Sequence, residues 1–209
     1  MKLFPSQQYY YKERCIKKID LTVTVTEEVR KLLADMTAAA KIPPFVQFGH
    51  LGTHFDVMSE KFPLENTERR GILFDVSHVQ EREIEASDIN MDKITEHDFV
   101  MFYTGCLKEN RFGTLEYMQS HLELSNALIT DLLNKKVSMI GIDFPGIRKP
   151  AEHPQADQYC ADHGVFVIEN LANLDVLLAA AKGQPFLVHT YPVNYEGLTG
   201  LPCRVVAEV

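Results

Sequence analysis

The ten residues Gln47-Phe48-Gly49-His50-Leu51-Gly52-Thr53-His54-Phe55-Asp56 constrain this chain more than any other stretch. Successive side chains of a strand point to opposite faces, so an extended reading sets His50, Gly52, His54 and Asp56 on one surface. Leu51 and Phe55 then face a core, and Gly52 leaves room between the two imidazoles and the carboxylate. A solvated face of an edge strand explains a lone histidine, whereas three metal-type ligands on one face are better explained by a bound ion. A helix would also bring His50 and His54 to one side. Gly49, Gly52, Thr53 and the preceding Pro43-Pro44 disfavour it, so a strand is expected.

The rest of the chain alternates short apolar runs with helical spacings. Ile19, Leu21, Val23 and Val25 alternate with Asp20, Thr22 and Thr24, the period of a half-buried strand. Thr26 is a plausible N-cap, Glu27 and Glu28 suit a first turn, and Val29, Leu32, Leu33 and Met36 recur at helical spacing to about Ala40. Gly71–Val76 and Phe99–Tyr103 are expected to be buried strands. Ser125 caps a helix that packs Leu128, Ile129, Leu132 and Leu133 and ends at Lys135-Lys136, followed by a strand from Val137 to Ile142. Pro154 and Gly164 bracket a short helix, and Val165–Ile168 forms a strand that delivers Glu169 at its end. A helix from about Asn173 to Ala181 and strands near Phe186–His189 and Arg204–Val209 complete an α/β mixture rich in strands.

At 209 residues and 45% hydrophobic content the chain can bury one sizeable core, and no linker, repeat or low-complexity tract divides it. A single domain spanning 1–209 is expected. The net charge of -8 argues against nucleic acid or an anionic membrane, which need a cationic footprint. Met1–Cys15 is polar and tyrosine-rich with no apolar run typical of a signal peptide, and no segment reaches transmembrane length. Cys15, Cys106, Cys160 and Cys203 are far apart and form no CxxC, so reduced thiols in a cytoplasm are expected.

Glu169 follows an apolar run and could mark the point where a strand meets solvent. A buried carboxylate costs several kcal/mol unless it is paired, and an ion held by His50, His54 and Asp56 would relieve that cost. His50 to Asp56, with Gly141-Ile142-Asp143 and Ile168-Glu169-Asn170-Leu171, resembles the cyclase family of metal-dependent hydrolases, which includes bacterial kynurenine formamidase and isatin hydrolase. The resemblance runs from Ile19-Asp20-Leu21-Thr22 through Tyr103-Thr104-Gly105 to Gly200–Ala207. It implies a swivelling β/β/α domain, a strand-rich mixed sheet core with flanking helices. It also implies a homodimer or higher homo-oligomer, and one or two Mn2+ or Zn2+ ions per subunit that hydrolyse a small amide or cyclic amide.

By that resemblance His50, His54, Asp56 and Glu169 match metal ligands, and two family histidines are replaced by carboxylates, Glu60 and Asp157. Asp can ligate a metal and Glu can act as general base, so Asp157 is expected among the ligands and Glu60 as the catalytic base. The expected mechanism has the metal polarise a substrate carbonyl and supply hydroxide while Glu60 moves a proton to the leaving nitrogen. Extra negative charge should raise the pKa of bound water and favour manganese. His153 competes with Asp157, whose spacing to Glu169 needs no gap; His78, His97, His121, His163 and His189 are expected to be structural. Phe48, Phe55, Phe62 and Phe144 would suit an aryl substrate or simply fill a core. Rival readings are a non-catalytic binding protein, a cyclase or dehydratase working through an enolate, and a cysteine hydrolase using Cys106 or Cys160.

Overall fold

The computed structural model describes residues 17–39, 49–120 and 122–209. Its strands are β1 (Lys18–Asp20), β2 (His54–Asp56), β3 (Glu68–Asp75), β4 (Phe99–Tyr103), β5 (Met139–Ile142), β6 (Phe166–Glu169), β7 (Phe186–Pro192) and β8 (Gly200–Glu208). Its helices are α1 (Glu27–Ala39), α2 (Cys106–Glu109), α3 (Leu115–Met118), α4 (Asn126–Asn134), α5 (His153–Asp162) and α6 (Leu174–Ala181).

The sheet runs β1-β8-β2-β6-β5-β4-β3-β7, and β7 pairs again with β8, so seven strands close into a ring. β3 to β6 are mutually parallel, while β2, β7 and β8 join antiparallel. β1 shares an edge of β8 with β2, taking Val206–Glu208 where β2 takes Gly200–Pro202. This mixed, strand-rich sheet with flanking helices is the α/β architecture expected.

Side-chain alternation divides the interior into two cores. Phe99 and Met101 of β4, Phe166 and Ile168 of β6, Phe55, Leu73, Met139, Val188 and Val205 face one another inside the ring. Val100 and Phe102, Ile140 and Ile142, and Val167 face outward against Leu128 and Leu132 of α4 and Cys160 of α5. The helices therefore cover the parallel strands, and α5 lies over the outer face of β6.

Local chemistry places most elements where the sequence puts them. Thr26 Oγ1 accepts from Val29 N at 3.3 Å and Ser125 Oγ from Leu128 N at 3.0 Å. Pro154 lies in the first turn of α5, and Gly164 just beyond it has φ +72°. β5 starts two residues later than expected, at Met139, and two further strands are less than half the expected length. β1 ends at Asp20, because the edge of β8 passes there to β2; beyond it Thr22 makes a single bridge to Leu171. β2 covers only His54–Asp56, because Gly52 adopts φ +76° and turns the chain, so strand alternation does not extend back to His50. A Cβ on Gly52 would also come within 2.8 Å of Val25 Cγ2. Ala40, Pro43-Pro44, Phe48, His121 and Met1–Cys15 lie outside the described residues.

Gly141, in the middle of β5, shows how tightly the ring is filled: a Cβ there would lie 2.5 Å from Leu171 Cδ1 and 2.7 Å from Phe99 Cε2. Gly141→Ala should lower unfolding free energy by roughly 1–3 kcal/mol, as overpacking of a dense core does. Urea unfolding that left the midpoint unchanged would show that the ring is looser than these distances state.

Candidate metal centre

β2 and β6 pair in a register that sets His54 opposite Glu169 and Asp56 opposite Val167. Directly paired residues share a face, with Cβ atoms about 5 Å apart. Phe55 and Ile168 point into the ring, so His54, Asp56 and Glu169 point outward, toward α5. α5 contributes His153 and Asp157, one turn apart and therefore on one side of the helix. Five candidate ligands thus meet between a strand pair and a helix, and His50 reaches them from the Gly52 turn.

The donor atoms form two overlapping groups, His50, His54 and Asp56 in one and Asp56, His153, Asp157 and Glu169 in the other, each with its ligand atoms within 4.8 Å. Asp56 Oδ1 lies 3.1 Å from His50 Nδ1 and 3.6 Å from His54 Nε2, and Glu169 Oε2 lies 3.6 Å from the same His54 nitrogen. His153 Nε2 sits 2.8 Å from Asp157 Oδ2 and 2.7 Å from Glu169 Oε1. One imidazole nitrogen facing two carboxylates is an arrangement in which a cation between the three would serve all of them. His54 Nδ1 is 2.9 Å from the carbonyl of Gly52, which turns Nε2 toward the carboxylates.

Burial makes the grouping expensive without a cation. Asp56 and Asp157 are each 2% exposed and Glu169 5%, and one oxygen of each (Asp56 Oδ2, Asp157 Oδ1, Glu169 Oε1) has no hydrogen-bond partner. Glu169 Oε1 is close to His153 Nε2 but lacks hydrogen-bond alignment. Burial opposes charge on His54, yet Asp56 and Glu169 outweigh it and push the imidazole up to about 9. His153 is pushed up to about 11, where burial is again outweighed, by Asp157 and Glu169. Asp157 is raised, first by burial and then by Asp56 and Glu169, against the lowering effect of His153. Carboxylates and imidazoles crowded this way, with orphaned oxygens, fit a divalent cation.

All five expected ligands are therefore brought together, and His153 joins Asp157 rather than competing with it. The gap-free spacing to Glu169 had favoured Asp157 over His153; the i, i+4 separation on one helix was the signal that both side chains share a face. Two glycines make space for the partly exposed imidazoles. A Cβ on Gly200 would lie 2.8 Å from His50 Nδ1, and one on Gly146, at φ +81°, 2.8 Å from His153 Nδ1. Thr199 was not foreseen: its Oγ1 is 2.9 Å from His50 Nε2, and its carbonyl accepts from Val57 N and Met58 N.

Glu60 lies outside both groups, exposed on the turn after β2. That turn reaches α5, since Gln158 Nε2 donates to Ser59 Oγ at 2.9 Å. Phe55 and Phe144 are fully buried in the two cores, and Phe62 packs at a tilt between Phe55 and Phe166, so these rings fill the interior rather than line the centre. His78 and His97 are exposed, and His163 Nδ1 bonds the Tyr159 carbonyl. Cys160 is buried and pushed up to about 12, and burial also raises Cys106, which leaves neither as a ready thiolate. A cavity of about 460 Å³ at the carboxyl ends of β4 to β6, lined by Tyr103, Asp143, Leu171 and Asn173, contains none of the candidate ligands.

A family model described as putative cyclase matches residues 19–149, well over half of the chain. The chain belongs to the cyclase family. The matched span includes His50, His54 and Asp56 and ends before α5. A solved structure described as a potential metal-dependent hydrolase with cyclase activity is 26% identical, with TM-score 0.69 over 92% of this chain and 98% of its own. Isatin hydrolase A from Labrenzia aggregata, bound to benzyl benzoate, is 17% identical with TM-score 0.71, covering 93% of this chain and 94% of its own. Isatin hydrolase A from Ralstonia solanacearum is 16% identical with TM-score 0.70, covering 93% and 92%. No curated protein matches this chain.

The raised imidazoles give the sign of a pH effect. A histidine whose folded pKa lies above the unfolded value of about 6.5 contributes stability that is full below that pH and is lost as pH rises through the folded value. For His54 the window is from about 6.5 to about 9. In chelator, the thermal midpoint of the protein should therefore fall as the pH is raised across that window, and added Mn2+ or Zn2+ should restore it. A midpoint indifferent to both pH and metal would contradict a cation-compensated cluster.

Proposed function

We propose that this member of the cyclase family is a metal-dependent hydrolase that cleaves a small amide or cyclic amide, an arylformamidase-like cleavage of a C–N bond. The observation that carries this reading is the pair of ligand groups sharing Asp56, with three buried carboxylate oxygens left without a hydrogen-bond partner. The metal-dependent hydrolase named among the structural neighbours and the isatin hydrolases support it.

His50, His54 and Asp56 would hold one ion, and Asp56, His153, Asp157 and Glu169 a second or an alternative position, so one or two ions bind per subunit. The first group, with two imidazoles, suits zinc; the second, with three carboxylates, suits the harder manganese. When bound, such an ion supplies Lewis acidity toward a carbonyl and lowers the pKa of a water in contact with it. The chain's own contribution is orientation and proton movement. His50 and His153 are the more exposed ligands and mark the side from which a substrate enters. Glu60, on the turn that Gln158 and Thr199 tie to this side, takes a proton from water and returns it to the leaving nitrogen. The products are a carboxylate and an amine, and the working protein is a homodimer or larger assembly in the cytoplasm.

The deciding experiment combines elemental analysis with a screen of N-formyl aryl amines, cyclic imides and lactones. Bound Mn or Zn together with C–N hydrolysis is expected. Metal without turnover would leave a binding protein, and a ring-closed or dehydrated product would favour a cyclase acting through an enolate. Glu60→Gln should keep metal content and lower kcat by at least about 100-fold, the span of general base catalysis. Unchanged turnover would remove Glu60 from the mechanism.

A further inference from the structure

We infer that Asn170 and Tyr117 are positioning residues that lock the His54 imidazole through the carbonyl of Gly52, which rests on the proposed metal role of His54. Gly52 O accepts from Asn170 Nδ2 at 2.8 Å and lies 2.9 Å from His54 Nδ1. A carbonyl cannot donate, so both nitrogens must carry the hydrogens. This fixes the orientation of the Asn170 amide and places a proton on His54 Nδ1. Nε2 is then the nitrogen that faces Asp56 and Glu169.

The amide is held from its other end. Asn170 Oδ1 accepts from the Tyr117 hydroxyl, and the Tyr117 ring is fully buried in the outer core. Burial holds its phenol well above the ordinary value, so the hydroxyl stays a donor. The backbone of Asn170 is fixed as well: its carbonyl accepts from Thr53 Oγ1 at 2.7 Å, and its φ is +60°. That left-handed conformation is one that Asn tolerates better than most residues. The chain of contacts therefore runs from a core tyrosine, through an amide and a carbonyl, to the edge of the ligand set.

Two substitutions separate positioning from bulk packing. Asn170→Gly keeps the positive φ and deletes the amide; Tyr117→Phe keeps the ring and deletes only the hydroxyl. Metal-free protein labelled with 15N-histidine should show an exchange-protected Nδ1–H for His54 in the wild type and lose that protection in both variants. Zn2+ affinity, measured by chelator competition, should fall about 10–100-fold in both, the effect typical of partners behind a metal ligand. Ile129→Val, a conservative change in the same outer core, should leave both readouts at wild-type values. Wild-type protection and Zn2+ affinity in both variants would overturn the inference. A wild type that binds no Zn2+, with protection still lost in the variants, would support the positioning network and overturn the metal reading instead.

Discussion

The compensation of three buried carboxylates governs this molecule. Asp56, Asp157 and Glu169 converge between the outer face of β2 and β6 and the helix α5, where water is largely excluded. Unpaired charges in such a place cost several kcal/mol each, so three together rival the whole net stability of an ordinary domain. His54 and His153 offset part of that cost by holding protons tightly, and the oxygens still lacking partners show where the offset is incomplete. A divalent cation supplies in one particle the charge that the imidazolium protons supply piecemeal. Structure and proposed chemistry therefore share a cause.

The fold creates this concentration of charge by using both faces of its strands. β2 and β6 send Phe55, Phe166 and Ile168 into a close-packed ring, which fixes the register, and the same register sets His54 against Glu169 outside. A slip of one residue would exchange the two faces and bury the ligands in the apolar ring. Core packing thus acts as the alignment device for the centre. Glycine takes part at three points, by turning the chain at Gly52 and by leaving space for the rings of His50 and His153 at Gly200 and Gly146.

The composition of the candidate centre was legible in the sequence to the extent that it was local. His54 and Asp56 could be placed on one strand face from alternation alone, Glu169 joined them only through the family resemblance, and helix caps such as Ser125 followed from residue chemistry. The reading of His50 reached the right neighbourhood by the wrong geometry, since Gly52 breaks the strand and His50 arrives from a turn. That His153 and Asp157 both face the β2–β6 pair was not legible, because spacing along the chain cannot show that a whole helix face meets a sheet. The aromatic residues illustrate the same limit: Phe55 and Phe144 lie close to the motifs in sequence, yet strand alternation and packing carry them into the cores.

Taken alone, the sequence determined the α/β class and most element boundaries, because these depend on side-chain period, capping and turn chemistry within a few residues. Tertiary structure decided how β8 closes the ring, which of the two cores each strand face joins, and that His153 and Asp157 meet the β2–β6 pair together. Those outcomes depend on contacts between segments a hundred residues apart. They were selected by the filling of a shared interior, which local preferences along the chain do not encode.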